Sequence, residues 1–258
     1  MTIPRIYFPR VSEDDTLVEL EGENLRYIRN VLRLKEGAPL ILFDGSRYEY
    51  STIIKAYTAR NASLEITEKQ SIQHPTTNIT LAQSLAKSAK MDFIVQKATE
   101  LGVTRLIPFI SSRSIPRLSE NKISARVSRW RKIAVEASRQ CKRVIIPEIT
   151  NIISFDEMLQ QPDKDDVCII FWEEESKQGL KTILRDEKWK DANHFFLVVG
   201  PEGGFSREEA NRAYGNSFMS ATLGKYILRT ETAALTILAI IQYERGIFSR
   251  TGEGEQTL

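Results

Sequence analysis

Leu197-Val198-Val199-Gly200-Pro201-Glu202-Gly203-Gly204-Phe205-Ser206 and Leu223-Gly224-Lys225-Tyr226-Ile227-Leu228-Arg229-Thr230-Glu231-Thr232-Ala233 are the two stretches whose reading decides the fold. Each reads as an apolar strand, a Gly-containing loop and a helix start. Phe195 to Val199 is an apolar run fit for a strand buried on both faces, as parallel sheets require. Gly200, Gly203 and Gly204 permit a positive φ or a close approach of a ligand to the main chain. Ser206 followed by Glu209 has capping-box spacing. In the second stretch Thr230 is placed to cap a helix, and Glu231 falls in its positive first turn. Open parallel sheets bind ligands at such loops, so a ligand site is expected here.

Working outward, strands and helices alternate from Asn78 onward. Strands are expected at Ile79 to Leu85, Thr104 to Phe109, Val144 to Ile146, Val167 to Trp172, Phe195 to Val199 and Phe218 to Thr222. Helices are expected at Ala89 to Leu101, Ser119 to Cys141, after the Ser154/Glu157 capping box, and at Lys177 to Arg185, Arg207 to Tyr214 and Glu231 to Ile247. The first carries Met91, Ile94, Val95, Ala98 and Leu101 on one face and stops at Gly102. The last is apolar nearly all round from Ala233 to Ile241, so the chain itself or a second subunit must cover it. This order predicts an α/β fold with a mainly parallel sheet flanked by helices.

Residues 1–72 differ. Short runs at Ile3 to Phe8, Thr16 to Leu20, Pro39 to Phe43, Tyr48 to Ala56 and Ser63 to Thr67 are separated by turn residues, with Asp44-Gly45 as a hairpin signal. A small β-barrel is expected, interrupted by one helix from Asn24 to Leu34. The polar stretch from Gln70 to Asn78 reads as a linker, giving domains at 1–72 and 73–258.

Net charge is only +2, but its distribution is uneven. Arg113 to Arg143 holds ten basic and two acidic residues, whereas Asp156 to Asp191 holds eleven acidic and six basic. A basic helix and its loop form the footprint of a polyanion partner, or a solvated helix face. Arg26, Arg29 and Arg33 line another helix face fit either for phosphates or for water, with Arg5 and Arg10 nearby in sequence. Arg113, Arg139, Gln140 and Arg143 are the basic-segment candidates for RNA contact.

Several chemistries are excluded. The chain has no Gly-x-x-x-x-Gly-Lys-Ser/Thr phosphate loop, no Gly-x-Gly-x-x-Gly after the first strand, and no Gly-x-Ser-x-Gly elbow. His74 and His194 stand isolated from Cys or carboxylate spacing, so no metal is expected. Cys141 and Cys168 read as reduced core thiols in a cytoplasmic protein. Met-Thr-Ile-Pro-Arg starts no signal peptide, and no apolar stretch is long enough for a membrane span. If the loops after Trp172, Val199 and Thr222 are adjacent, they form one crevice for a cofactor with a flat group.

The two opening stretches resemble the signature motifs of the RsmE family of SPOUT methyltransferases. Tyr27-Ile28-Arg29-Asn30-Val31-Leu32-Arg33-Leu34, Met91 to Val103, and Arg129-Trp130 through Pro147-Glu148 are also similar, so the resemblance covers nearly the whole chain. It departs at Lys87-Ser88-Ala89-Lys90, which lacks the usual Gly and acidic residue, and at Asn30, where His is more common. The resemblance implies a trefoil-knotted SPOUT domain behind an N-terminal PUA-like barrel that binds RNA. It implies a homodimer that methylates N3 of a uridine in 16S small-subunit ribosomal RNA from S-adenosylmethionine. Carried over, it assigns Trp172, Val199, Gly200, Gly203, Gly204, Leu223, Gly224, Ile227, Leu228 and Thr230 to the cofactor, and Lys87 to RNA. Arg229 is the candidate for stabilising charge on the uracil oxygens, and Glu202 and Glu231 are candidate bases or helix-start carboxylates. Another SPOUT enzyme with a different target, or a non-catalytic RNA-binding ribosome-assembly protein, are the alternatives.

Overall fold

Strands β1 (Arg5–Tyr7), β2 (Leu17–Glu21), β3 (Pro39–Phe43), β4 (Tyr48–Tyr57) and β5 (Asn61–Ser71) form one sheet in the order β1-β3-β4-β5-β2. A computed structural model describes residues 3–12, 14–114, 120–174 and 178–245 of the chain. The helix starts expected at Ser119 and Lys177 and the expected end of the last helix at Ile247 lie outside the described residues. The chain divides into two units, residues 1–74 with 135–146, and residues 75–134 with 147–258.

In the first unit the sheet is antiparallel except for the β1–β3 pair. Ile6 from one edge strand and Val18 and Leu20 from the other share one apolar cluster with Leu40, Leu42, Ile54 and Leu64. Side chains from both edges meet only if the sheet curls, as a barrel-like sheet does. The hairpin signal is realised at the β3–β4 turn. Asp44 Oδ1 accepts from the amides of Ser46 (2.8 Å), Arg47 (2.8 Å) and Tyr48 (3.0 Å), and Gly45 takes a φ of +85°.

The helix expected from Asn24 to Leu34 is shorter and changes pitch. It runs as α1 (Gly22–Arg26), widens into a π-helical turn over Tyr27–Val31, and ends where Arg33 takes a φ of +52°. A π turn breaks the 3.6-residue period. The arginines at 26, 29 and 33 therefore do not form the continuous row that α-helical spacing predicts.

The second unit is built on a seven-stranded sheet. It contains β6 (Asn78–Ser84), β7 (Arg105–Ile110), β8 (Glu148–Ile149), β9 (Ile153–Ser154), β10 (Val167–Phe171), β11 (His194–Val199) and β12 (Met219–Ala221). The order is β12-β10-β11-β6-β7-β8, with β9 beside β7, and every pairing is parallel. One face packs Phe109, Phe196, Val198 and Phe205 against α4 (Phe155–Leu159) and α6 (Arg207–Gly215). Phe109 and Phe205 stack with centroids 6.5 Å apart. On the other face α2 (Ser88–Glu100) packs against α7 (Thr230–Glu244), which contacts β6 and β11. Burying each large apolar side chain contributes about 1.5–3 kcal/mol. The remaining helices are α3 (Glu120–Cys141) and α5 (Leu180–Leu184).

Two expectations fail locally. Val144 to Ile146 is not a strand: Lys142 turns at a φ of +66°, the Ile146 amide donates to Gly45 O (2.8 Å) in the first unit, and Pro147 cannot extend a ladder. Thr230 does not cap α7. Arg229 occupies the N-cap and has no side-chain acceptor to offer, while Thr230 is the first helical residue and its hydroxyl donates to Gly200 O. Both capping boxes form as spaced, at Ser154/Glu157 and Ser206/Glu209.

Candidate active site

Parallel strands all end on the same side of their sheet, and β12, β10 and β11 are neighbours. The loops leaving Phe171, Val199 and Ala221 are therefore adjacent. They wall a cavity of about 620 Å³, within the usual range for ligand pockets. Trp172, Val199, Gly200, Glu202, Gly203, Gly204, Leu223, Gly224, Ile227, Leu228, Arg229 and Thr230 all line it. The two Gly-containing stretches, Leu197 to Ser206 and Leu223 to Ala233, thus meet in one place.

The loop after β11 is held from several directions. Gly204 has a φ of +66°, and a Cβ there would run into the Glu173 carboxylate from the loop after β10. Gly200 presents its bare Cα to Phe205, whose ring would sit 3.1 Å from an added Cβ. The Arg113 guanidinium donates to Gly203 O at 2.9 Å. Glu209 is buried, and its carboxylate accepts from Ser206 N (3.0 Å) and from Ser112 N and Oγ (both 2.8 Å). A carboxylate in a helix first turn also complements the helix dipole.

The third loop is open. Gly224 has a φ of +115° and nothing within 4 Å of where a Cβ would stand. Thr222 Oγ1 bonds Gly224 N (3.2 Å) and Gly224 O (3.1 Å). Tyr226 is 72% exposed and Ile227 86% exposed. At the start of α7 the Thr230 hydroxyl donates to Gly200 O (2.7 Å) and accepts from the buried Gln83 amide (3.0 Å).

Lys90 is the functional candidate that the sequence reading passed over. It lines the cavity, and its Nζ lies 3.2 Å from Glu202 Oε1 and 3.1 Å from Glu231 Oε2. Lys90 holds Glu231 Oε2 by a charge contact, and no other donor reaches that oxygen among the described residues. Partial desolvation raises the Glu202 pKa, but backbone amides and the Lys90 ammonium outweigh it and hold Glu202 below its ordinary value. Slight desolvation opposes ionisation of Lys90, and the carboxylates overcome it and raise its pKa. A signal existed in the sequence: Lys90 sits in the first turn of α2, where the helix dipole disfavours a cation. Arg229 is exposed and makes no ion pair among the described residues, so it is not tied to Glu202 or Glu231.

The RNA candidates fall in both units. In the second, Lys87 is exposed at the N-cap of α2, and Arg113 is engaged with Gly203. In the first, Arg10, Arg26 and Arg33 are exposed. Arg29 donates to Thr58 O (2.5 Å) and lies over the Tyr57 ring (4.7 Å). Arg139 pairs with Glu136 and covers the Tyr27 ring at 4.5 Å. Arg5 is nearly buried, paired with Glu49 at 2.7 Å, and its charge is spent inside the unit. Burial pulls the Arg143 pKa down. Among the described residues no cluster of His, Cys, Asp and Glu is placed to hold a metal ion.

The profile of the RNA methyltransferase domain family matches residues 73–242. The chain belongs to this family. The profile of the RNA methyltransferase PUA domain matches residues 20–67. The ribosomal RNA small subunit methyltransferase E of Bacillus subtilis is 32% identical over 90% of this chain and 92% of its own. That of Aquifex aeolicus is 31% identical over 92% of this chain and 98% of its own. A crystal structure of a ribosomal RNA small subunit methyltransferase E from Neisseria gonorrhoeae, bound to S-adenosylmethionine, superposes with a TM-score of 0.83. It is 32% identical, over 94% of this chain and 98% of that one. This RNA methyltransferase therefore shares the parallel-sheet fold and the PUA domain that the resemblance implies.

Proposed function

We propose that the chain methylates N3 of a uridine in 16S small-subunit ribosomal RNA, with S-adenosylmethionine as donor. The observation that carries this reading is the single cavity walled by both Gly-containing stretches and the loop after β10. The residues present fit the donor. Leu223, Ile227 and Leu228 offer apolar surface for a flat ring, and the bare backbone at Gly224, with open space where a Cβ would stand, permits close approach. When bound, S-adenosylmethionine supplies a methyl group activated by its sulfonium.

The remaining work falls to the chain and is chiefly alignment. N3 lies on the pairing edge, so the uridine must leave its stack, and N3 must lose its proton. Tyr226 and Ile227, exposed at the cavity rim, support a role in receiving the flipped base. The Arg229 guanidinium, without an ion pair among the described residues, lines the same cavity and is suited to hold the negative charge that deprotonation places on the uracil oxygens. Glu202, held ionised by backbone amides and by Lys90 against its partial desolvation, is a weakened base. Residues 1–72 then act as the RNA-binding domain through Arg10, Arg26 and Arg33, and residues 73–258 as the knotted methyltransferase domain. α7 leaves Leu235, Ala239 and Ile240 half-covered and Tyr243 exposed, which supports a homodimer contact there. No described helix is long and apolar enough to cross a membrane, in keeping with action on cytoplasmic ribosomes.

The test is mass mapping of methylated nucleosides after incubation with unmodified small subunits and with bare ribosomal RNA, alongside calorimetry with S-adenosylmethionine. N3-methyluridine at one position is expected. A methyl group on another atom or RNA points to a different target, and no donor binding points to a non-catalytic RNA-binding protein.

A further inference from the structure

We propose that Lys90 is a positioning residue of the donor pocket, fixing Glu202 and Glu231 and through them the glycine loop and the start of α7. The inference rests on the reading of the cavity as the S-adenosylmethionine site.

Three segments converge on this ammonium. Lys90 comes from the first turn of α2, Glu202 from the loop after β11, and Glu231 from the first turn of α7. Each segment supplies cavity wall or its immediate support. The Lys87 amide, on the same segment as Lys90, adds a third contact, donating to Glu202 Oε1 at 3.4 Å.

Local propensity opposes the arrangement. α2 has no acidic residue in its first turn and no side-chain cap at Lys87. A cation at that end faces the positive pole of its own helix. Glu202 offsets both deficits from a distance: it meets the orphan N-cap amide and neutralises the lysine. Glu231, conversely, lies at the favourable end of α7 and needs no lysine for helix stability. A placement that is costly for α2 and unnecessary for α7 is explained by what it does between them.

The group is also electrostatically incomplete. Two carboxylates share one ammonium, with Arg229 and Lys225 as the other cations lining the cavity and Glu173 as the other carboxylate. The Lys90, Glu202 and Glu231 side chains are between 17% and 28% exposed, so the pairs are screened only in part. Releasing Lys90 lets the two carboxylates repel and the loop and helix start separate.

A double-mutant cycle on the full chain tests this, reading donor affinity by calorimetry and kcat and KM on small subunits. Lys90→Met should weaken S-adenosylmethionine binding about tenfold, the size expected for losing a charge-assisted contact. The loss should appear in donor KM more than in kcat. Lys90→Arg should recover most of it, because a guanidinium can still bridge two carboxylates. In a Glu202→Gln/Glu231→Gln background, Lys90→Met should cost less than about twofold, since the lysine then has nothing to hold. The same tenfold loss in that background would mean that Lys90 meets the ligand directly, and overturns the proposal. So would Lys90→Met binding the donor like the unmodified protein. Failure of the unmodified chain to bind the donor would instead sink the reading of the cavity.

Discussion

The Thr230 hydroxyl donates to the carbonyl of Gly200 at 2.7 Å, tying the first residue of α7 to the first residue of the glycine loop. The same oxygen accepts from Gln83 Nε2 at 3.0 Å, and Gln83 is fully buried on the central strand β6. Thr230→Val keeps the shape and removes both bonds. It leaves a buried amide short of an acceptor, so a loss of about 1–3 kcal/mol is expected in urea unfolding. Donor affinity should fall with it, and Thr230→Ser should restore both.

Gly102 ends α2 at a φ of +88°, and a Cβ there would run into the Gln242 amide. That amide is buried and donates to Leu101 O at 2.9 Å, joining α2 to α7. Gly102→Ala therefore combines left-handed strain with loss of a buried bond. The expected cost is about 2–4 kcal/mol in denaturant unfolding. An alanine variant as stable as the parent would show that the two helices are not joined through this contact.

How much of this was legible depended on distance along the chain. β3 falls on Pro39 to Phe43 as its pattern predicts, and both capping boxes close at the spacing read from Ser154 and Ser206. These features depend on residues three or four apart. That Glu209 also receives Ser112 was not legible, because the partner lies on another strand's loop. Lys90 shows the same limit: its local context argues against a cation, and only tertiary structure supplies the carboxylates. The π turn at Tyr27–Val31 is a change of pitch that periodicity alone does not register. The assignment of the glycine loops to one pocket came from family resemblance, and their adjacency from the order β12-β10-β11.

Asp44 gives a pH dependence with a definite sign. Partial burial raises its pKa, but amides of Arg47, Ser46 and Tyr48 and the Ser46 hydroxyl outweigh this and leave it below the ordinary value. A carboxyl lowered in the folded state adds stability that is present above its unfolded pKa and lost as pH falls through the folded one. The β3–β4 turn should therefore weaken below about pH 4. Asp44→Ala should be less stable than the parent at neutral pH, and the gap should narrow on acidification. A gap that stays constant from pH 7 to about pH 3 would assign the effect to lost packing instead.

Arg229 is exposed, and no ion pair holds it among the described residues. Its removal should leave folding intact. If it stabilises the uracil anion, Arg229→Ala should lower kcat about 10²–10³-fold, the usual cost of removing one such donor. The unfolding midpoint should not move. Lysine at this position should recover part of the rate, since it keeps the charge and loses the fork. A normal methylation rate in the alanine variant removes Arg229 from the chemistry.

Tyr226 stands 72% exposed on the open loop, with the Lys225 ammonium 4.9 Å from its ring centre. So large an exposed aromatic gains nothing for folding, and beside a methyl-donor cavity it offers a face on which a flipped base can stack. Such stacking contributes about 1–3 kcal/mol per base. Tyr226→Ala should therefore raise the KM for small subunits by roughly five- to a hundredfold. Donor affinity should change far less, and Tyr226→Phe should behave like the parent because the π face is kept. If phenylalanine is as poor as alanine, the hydroxyl rather than the ring makes the contact. If neither variant alters the RNA KM, the exposed ring belongs to a protein contact, and sedimentation of the alanine variant should then show a changed oligomeric state.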